Sequence, residues 1–266
     1  MPTTKELIRQ HGFVAKKKFG QNFLIDNNII EKIIAGANLQ KNDRVLEIGP
    51  GFGALTGRLV ATCGEGNLVC VEIDEALATV LAELYPGVRV IQGDILKMDL
   101  GDIVGAGGKV VANLPYYIAT PIITKLLQSP MASLTIMVQK EVADRLRAEP
   151  GTKAYGSLTV FASFHAKIHH VTNVNPNCFW PKPNVESTVL HFEMGCYHNP
   201  KDRELFYGIV RQAFTTRRKT MINCLTAGGM QKGTLVSTLS KLGIKENVRA
   251  EELTLEQYVQ LADALA

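Results

Sequence analysis

Hydrophobic and polar positions follow a helical period near the start of the chain and a repeating alternation after it. In residues 27–38, isoleucines recur at helical spacing behind Asp26 and Asn27, which are residue types that cap helices. Short apolar runs typical of strands then alternate with amphipathic segments. The predicted strands are 44–48, 67–73, 88–92, 109–112 and 133–138, with two further β-rich stretches at 157–164 and 185–192. The predicted helices between them are 54–63, 76–84, 120–128 and 140–148.

The alternation of strands and helices predicts βαβ units and a mostly parallel sheet. After residue 199 the pattern changes to helices alone. These helices are predicted at 202–214, 218–226, 234–242 and 255–265. We therefore expect a doubly wound α/β domain over residues 1–199, followed by a small all-α domain over residues 200–266.

Composition narrows the class of protein. The 266 residues are 46% hydrophobic and 20% charged, which is typical of a globular protein and excludes intrinsic disorder. The apolar runs are far shorter than the ~20 residues of a membrane span, and the start of the chain has no apolar signal segment. The five cysteines are odd in number and never spaced C-x-x-C, so we expect neither disulfides nor a metal site, and a cytoplasmic location.

Positive charge is concentrated in two places. The net charge is +4, yet residues 1–20 and residues 201–220 each carry +4, so the remainder of the chain carries −4. Clustered basic side chains favour a polyanion such as nucleic acid, while solvated surface clusters remain the alternative for each group taken alone. The side chains concerned are Lys16, Lys17, Lys18, Arg211, Arg217, Arg218 and Lys219.

A glycine-rich turn follows the strand predicted at 44–48. Gly49, Gly51 and Ala54 satisfy the G-x-G-x-x-G/A pattern, in which glycines let a ligand approach the backbone at a helix N-terminus. Glu72 lies 21 residues after Gly51, at the end of the next strand, where a carboxylate can hold ribose hydroxyls. This much predicts an adenosine-containing cofactor, and it fits a nicotinamide dinucleotide and S-adenosylmethionine equally.

Two later features favour S-adenosylmethionine. Asp94 follows the third strand of the series, where its carboxylate can accept a hydrogen bond from the adenine amine. Asn113-Leu114-Pro115-Tyr116 follows the fourth strand. The Asn113 side-chain oxygen and the Leu114 carbonyl can both accept from an amine on a flat ring, while Tyr116 stacks on that ring. We interpret this tetrapeptide as a socket for a target amine.

From Lys18 to the C-terminal helices, the sequence resembles the 16S ribosomal RNA adenine dimethyltransferases. The opening motif Gly-Gln-Asn-Phe-Leu and the late motif F-x-P-x-P-x-V-x-S are together the most specific part of the resemblance. The matching segments are 20–24, 47–53, 71–74, 93–95, 113–116 and 179–187.

The resemblance implies S-adenosylmethionine as cofactor and the fold of methyltransferases that use it. It assigns cofactor contacts to Gln21, Asn22, Leu24, Gly49, Gly51, Glu72, Asp94, Ile95 and Asn113. For catalysis, it implies that Asn113 and Leu114 hold the target amine, and that Tyr116 and Phe179 stack on the target base. Trp180, next to Phe179, is the alternative stacking ring.

The resemblance also implies a reaction and a partner. We expect transfer of methyl groups to the N6 amines of two adjacent adenosines in a loop of 16S ribosomal RNA, by a monomer that acts on the small ribosomal subunit during its maturation. Three alternatives stay open: a 23S ribosomal RNA adenine methyltransferase of the antibiotic-resistance type, a non-catalytic assembly factor, and a DNA adenine methyltransferase. The late motif favours the 16S enzyme over the first. A DNA enzyme needs a larger recognition domain than the residues after 199 supply.

Overall fold

The computed structural model describes residues 3–16 and 20–266. Two compact units divide the chain. The first contains residues 1–143 and 167–194, and the second contains residues 144–166 and 195–266. The chain thus enters the second unit for the last time at Gly195, a few residues before the boundary expected at 199/200. The sequence prediction had placed residues 144–166 in the first domain, whereas in the structure they lie with the C-terminal helices.

The first unit is built on a seven-stranded sheet with the order β4-β3-β2-β5-β6-β9-β7. The strands from β4 to β6 run parallel, and β9 runs antiparallel to β6. A separate two-stranded antiparallel pair joins β1 to β8. The strands of the described chain are β1 (Phe23–Leu24), β2 (Val45–Ile48), β3 (Leu68–Glu72), β4 (Arg89–Gln92), β5 (Lys109–Asn113), β6 (Ser133–Gln139), β7 (Ala166–Val174), β8 (Phe179–Trp180) and β9 (Ser187–Met194).

Helices cover the sheet of the first unit and form most of the second. Strands β2 and β6 are buried along nearly their whole length, as expected for parallel strands with helices on both faces. The helices are α1 (Thr4–Gln10), α2 (Asn27–Gly36), α3 (Thr56–Cys63), α4 (Glu75–Leu84), α5 (Leu100–Val104), α6 (Ala119–Leu127), α7 (Lys140–Leu146), α8 (Ser157–His165), α9 (Arg203–Ala213), α10 (Met221–Ala227), α11 (Lys232–Lys241) and α12 (Leu255–Leu265). None of these helices has the length and apolar composition that a membrane crossing requires.

The stretch 157–164 was predicted as β-rich, and this prediction is wrong because α8 occupies it. Its run of apolar residues has no clear period, so pattern alone could not separate a buried helix from a strand. Thr159 accepts a hydrogen bond from the Gly156 N–H at 3.1 Å, which begins the helix. Phe164 then stacks on Phe206 of α9, with the ring centroids 4.5 Å apart, in the core of the second unit. The strand β7, which follows α8, was not predicted, and neither were β1, β8, α1 and α5.

Candidate active site

A cleft opens at the carboxyl edge of the parallel strands, in the first unit. It encloses about 960 Å³, including its open mouth. Because parallel strands end at one edge, the loops after β2, β3, β4 and β5 meet there. The structure brings eleven of the predicted site residues to its walls: Gln21, Asn22, Leu24, Gly49, Gly51, Glu72, Asp94, Ile95, Asn113, Leu114 and Tyr116.

The glycine turn forms one wall of the cleft. Gly49 and Gly51 have positive φ angles of 66° and 58°, which favour glycine. A Cβ on Gly51 would lie 2.9 Å from the Phe23 ring, so a larger residue would also disturb the packing of the opening motif. The Gly49 N–H donates to the Val71 carbonyl at 2.9 Å and fastens the turn to β3.

Glu72 ends β3 as a buried carboxylate that is only 5% exposed. One oxygen accepts from the Gly51 N–H at 3.1 Å, and the other accepts from the Asp74 N–H at 3.0 Å. Burial raises the pKa of Glu72, although these two hydrogen bonds act in the opposite direction. The carboxylate is therefore fixed in orientation, and each oxygen keeps a lone pair with which to accept from a ribose hydroxyl.

Asp94 stands at the end of β4 as the cap of a short 3₁₀ helix, Ile95–Lys97. Its side chain accepts from the Leu96 N–H at 3.0 Å, which holds the carboxyl group at the cleft. Ile95 is buried and adds an apolar surface beside it. This pairing of a carboxylate with an apolar side chain suits an adenine, which has an amine at its edge and flat apolar faces.

Asn113 ends β5 with its amide already oriented. Its nitrogen donates to the Asn22 carbonyl at 3.0 Å, so the side-chain oxygen is left as the acceptor. Leu114 continues the sheet by donating its N–H to the Met137 carbonyl at 3.1 Å. Tyr116 follows in a 3₁₀ helix, and its hydroxyl lies 2.6 Å from that of Ser187. The predicted amine socket and its ring are thus assembled in one place.

Sequence reasoning gave no role to a buried polar network around Glu47, which also lines the cleft. Glu47 on β2 is only 1% exposed, and it accepts from the Thr56 hydroxyl at 2.6 Å and from the Cys70 thiol at 3.5 Å. Burial raises the pKa of Glu47 to about 7. An acidic residue inside an otherwise apolar strand was the available signal. Ser187 was also missed, although it closes the late motif.

Lys16 forms an ion pair within the protein that the sequence did not predict. It was expected to contact RNA, but its ammonium lies 2.8 Å from Asp74, which is 1% exposed. Gln21 donates to the other oxygen of the same carboxylate at 3.0 Å. Burial acts to raise the pKa of Asp74, but the hydrogen bonds from Lys16, Gln21 and the Ala76 N–H, together with the charge of Lys16, outweigh it and lower the pKa. The pair therefore fastens the opening motif beside the cleft, while Lys17 and Lys18 lie outside the described residues.

Phe179 does not lie where the resemblance implied. It pairs with Leu24 between β1 and β8, is 3% exposed, and packs into the core of the first unit rather than lining the cleft. Trp180 points to the other side of the same strand and is 36% exposed, with its ring stacked on Phe23 at 6.5 Å. Neighbouring side chains on a strand face opposite sides, so only one of the two rings can be exposed here. In this structure, that ring is Trp180.

The basic cluster of the second unit also divides by role. Arg217 donates to the carbonyls of Lys153 and Tyr155, at 2.6 and 3.0 Å, and so holds the loop before α8. Arg211, Arg218 and Lys219 are exposed, and no acidic side chain of the described chain forms an ion pair with them. Arg217 is exposed as well, but its two hydrogen bonds give it a role within the fold that the other three do not have.

The lining of the cleft fits S-adenosylmethionine. The glycine turn brings its backbone to the wall of the cleft in a conformation that favours glycine. Glu72 offers a buried carboxylate to ribose hydroxyls, and Asp94 with Ile95 suits adenine. The described residues hold no group of His, Cys, Asp and Glu side chains arranged to bind a metal ion.

Comparison with known proteins agrees with this geometry. The family model described as ribosomal RNA adenine dimethylase matches residues 12–266. The chain is 43% identical to the ribosomal RNA small subunit methyltransferase A of Alkaliphilus oremlandii, over 99% of this chain and 96% of that protein. It is 38% identical to the protein of the same name from Clostridium acetobutylicum, over 98% of each chain.

Solved structures with a similar fold fall in the same class. The dimethyladenosine transferase of Plasmodium falciparum superposes with a TM-score of 0.77 at 25% identity, over 90% of this chain and 95% of that one. The 23S rRNA methyltransferase ErmE superposes with a TM-score of 0.71 at 25% identity, over 92% of this chain and 99% of that one. Both similarities extend over nearly the full length.

Proposed function

Since the chain belongs to the ribosomal RNA adenine dimethylase family, we propose that it dimethylates the N6 amines of two adjacent adenosines in a loop of the 16S RNA of the small ribosomal subunit. The protein is an S-adenosylmethionine-dependent ribosomal RNA adenine methyltransferase. The choice of RNA and the role of each residue are our proposals. The observation that carries them is the oriented Asn113 amide at the end of β5, with Tyr116 beside it.

The N6 amine of adenine is a poor nucleophile because its lone pair is delocalised into the ring. The bound cofactor supplies an electrophilic methyl group. In the first methyl transfer, the Asn113 side-chain oxygen and the Leu114 carbonyl accept hydrogen bonds from the two N–H groups of the target amine, which favours a pyramidal nitrogen whose lone pair points at that methyl group. These hydrogen bonds strengthen as positive charge develops on nitrogen, so they stabilise the transition state more than the ground state. The cationic product loses its proton readily, and no strong general base is needed.

The cofactor residues act by placement. Glu72 and Asp94 hold the two ends of the adenosine part, and the turn at Gly49 and Gly51 accommodates the rest. Alignment of the donor group with the amine can supply a large share of the rate enhancement. Because Asn113 contacts the Asn22 carbonyl, the opening motif also helps to set the amine socket.

The target base must leave its helix or come from a loop, because a stacked and paired adenine cannot enter such a cleft. Tyr116 stacks on the base that enters. Neither Phe179 nor Trp180 lines the cleft. The exposed Trp180 ring, on a strand that pairs with the opening motif, supports stacking on the RNA outside the cleft by Trp180 rather than by Phe179.

In this proposal, the second unit binds the RNA. The exposed side chains of Arg211, Arg218 and Lys219 support phosphate contacts there. We assign the cofactor site to the first unit and RNA docking to the second unit, which contains residues 144–166 as well as residues 195–266.

The 23S enzyme is the competing function, because ErmE shares the fold over most of its length. The names of the relatives and the late motif favour the 16S enzyme. The deciding experiment incubates the protein and S-adenosylmethionine with small subunits that lack the modification and, separately, with 23S RNA, followed by mass spectrometry of the nucleosides. We expect N6,N6-dimethyladenosine in 16S RNA only, with Asn113→Ala as a control of strongly reduced activity. Methylation confined to 23S RNA would refute the proposal.

A further inference from the structure

The late motif reaches the active site through its last residue, Ser187. This serine begins β9, where it pairs with Gln139 of the neighbouring strand β6. Since β9 runs antiparallel to β6, its first residue lies at the edge of the sheet where β5 and β6 end. Ser187 is fully buried, and its hydroxyl lies 2.6 Å from the Tyr116 hydroxyl, in a hydrogen bond that either group can donate.

This bond completes the support of the Tyr116 ring. The backbone of Tyr116 is held from one side by Pro115 and by the 3₁₀ helix that Tyr116 begins. The opposite end of the side chain, the hydroxyl, is held by Ser187. A tyrosine fixed at its backbone alone can still rotate about two side-chain torsions, and that freedom is lost when a base stacks on it. A ring held at both ends has lost this freedom before the base arrives.

We propose that Ser187 is a positioning residue for methyl transfer: its hydrogen bond holds the Tyr116 ring in the orientation that receives the target adenine. The inference rests on the proposed function, because it takes Tyr116 as the ring against the base. It also explains why a motif far along the chain matters at the amine socket. The motif contributes the Ser187 hydroxyl, which orients the Tyr116 ring on another loop, while Phe179 of the same motif packs in the hydrophobic core.

The same strand provides a matched control. Thr188 is the next residue, is 3% exposed, and donates a hydrogen bond to the Asn173 side chain at 3.1 Å. Thr188 and Ser187 are thus buried hydroxyls with one side-chain partner each, at adjacent positions of β9. Neighbouring residues face opposite sides of the sheet, so the bond of Thr188 does not involve Tyr116.

The experiment compares four variants with the wild type: Ser187→Ala, Tyr116→Phe, the double variant, and Thr188→Val. Single-turnover rates are measured on unmodified small subunits at saturating cofactor, together with cofactor affinity and the melting temperature. We expect Ser187→Ala and Tyr116→Phe each to slow methyl transfer about three- to tenfold, the range of one hydrogen bond between neutral groups. The double variant should be no slower than either single one, and cofactor affinity should be unchanged.

Thr188→Val separates positioning from stability. It should lower the melting temperature about as much as Ser187→Ala, with a wild-type rate of methyl transfer. A wild-type rate for Ser187→Ala, or independent losses that multiply in the double variant, would overturn the inference. Equal slowing by Thr188→Val would also overturn it, because the effect would then be a general loss of strand structure. If the wild type methylates neither RNA, the proposed function fails and this inference fails with it.

Discussion

Replacing Glu72 with alanine tests the cofactor site most directly. The carboxylate is fixed by the Gly51 and Asp74 N–H groups, so its oxygens are already placed for ribose hydroxyls. Hydrogen bonds to a charged group contribute ~1.5–3 kcal/mol each. Loss of one such bond to the ribose weakens binding about 10- to 100-fold. Loss of two such bonds gives an upper limit to the loss of affinity that is well beyond this range. We expect a net loss of about 10- to 100-fold, because water entering the emptied space replaces part of the interaction.

Isothermal titration calorimetry with S-adenosylmethionine measures this affinity, and circular dichroism checks the fold. Removing the carboxylate also leaves the Gly51 and Asp74 N–H groups without their partner, so the melting temperature should fall as well. Glu75→Ala is the matched control, because Glu75 is an exposed carboxylate three residues away. Unchanged affinity in a folded Glu72→Ala protein would remove Glu72 from the site. Tight binding of NADH by the wild type would instead revive the dinucleotide interpretation of the glycine turn.

Three further outcomes are expected. Asn113→Ala should keep cofactor affinity within a few-fold and slow single-turnover methylation by roughly 10²–10³, and near-normal turnover would mean that the amine is held elsewhere. Replacing Arg218 and Lys219 together should flatten the plot of log RNA affinity against log salt by about one and a half units. Arg217→Ala should mainly lower the free energy of unfolding, by about 1–2 kcal/mol. The reverse pattern would contradict this division between RNA contacts and stability. Trp180 is the single tryptophan, so its fluorescence should be quenched by unmodified 16S RNA, and Trp180→Ala should weaken RNA binding by about 1–3 kcal/mol; RNA binding without quenching would exclude stacking on this ring.

Much of the cofactor site could be predicted because it is built from short segments of the chain. The end of β2, the glycine turn and the start of α3 are contiguous, and their backbone requirements can be seen in the residue types themselves. Glu72, Asp94 and Asn113 each follow a strand of the predicted parallel series. Because parallel strands end at a common edge, the order of strands and loops was enough to place these side chains together.

Features that depend on a contact partner distant in the sequence could not be predicted in this way. The apolar stretch 157–164 suits a strand or a buried helix equally, and packing against α9 decides for the helix. Lys16 and Arg217 are exposed cations, but their partners, the Asp74 carboxylate and two loop carbonyls, follow only from the folded chain.

The sequence by itself therefore determined the class of fold, the alternation of strands and helices from β2 to β6, and the short motifs whose neighbours are local. The tertiary structure alone decided which of Phe179 and Trp180 is buried, and which hydroxyl supports the Tyr116 ring. The physical reason is the distance along the chain. Tyr116 and Ser187 are 71 residues apart. No local propensity encodes a contact of that range, because it forms only when the antiparallel β9 brings its first residue back to the edge where β5 ends.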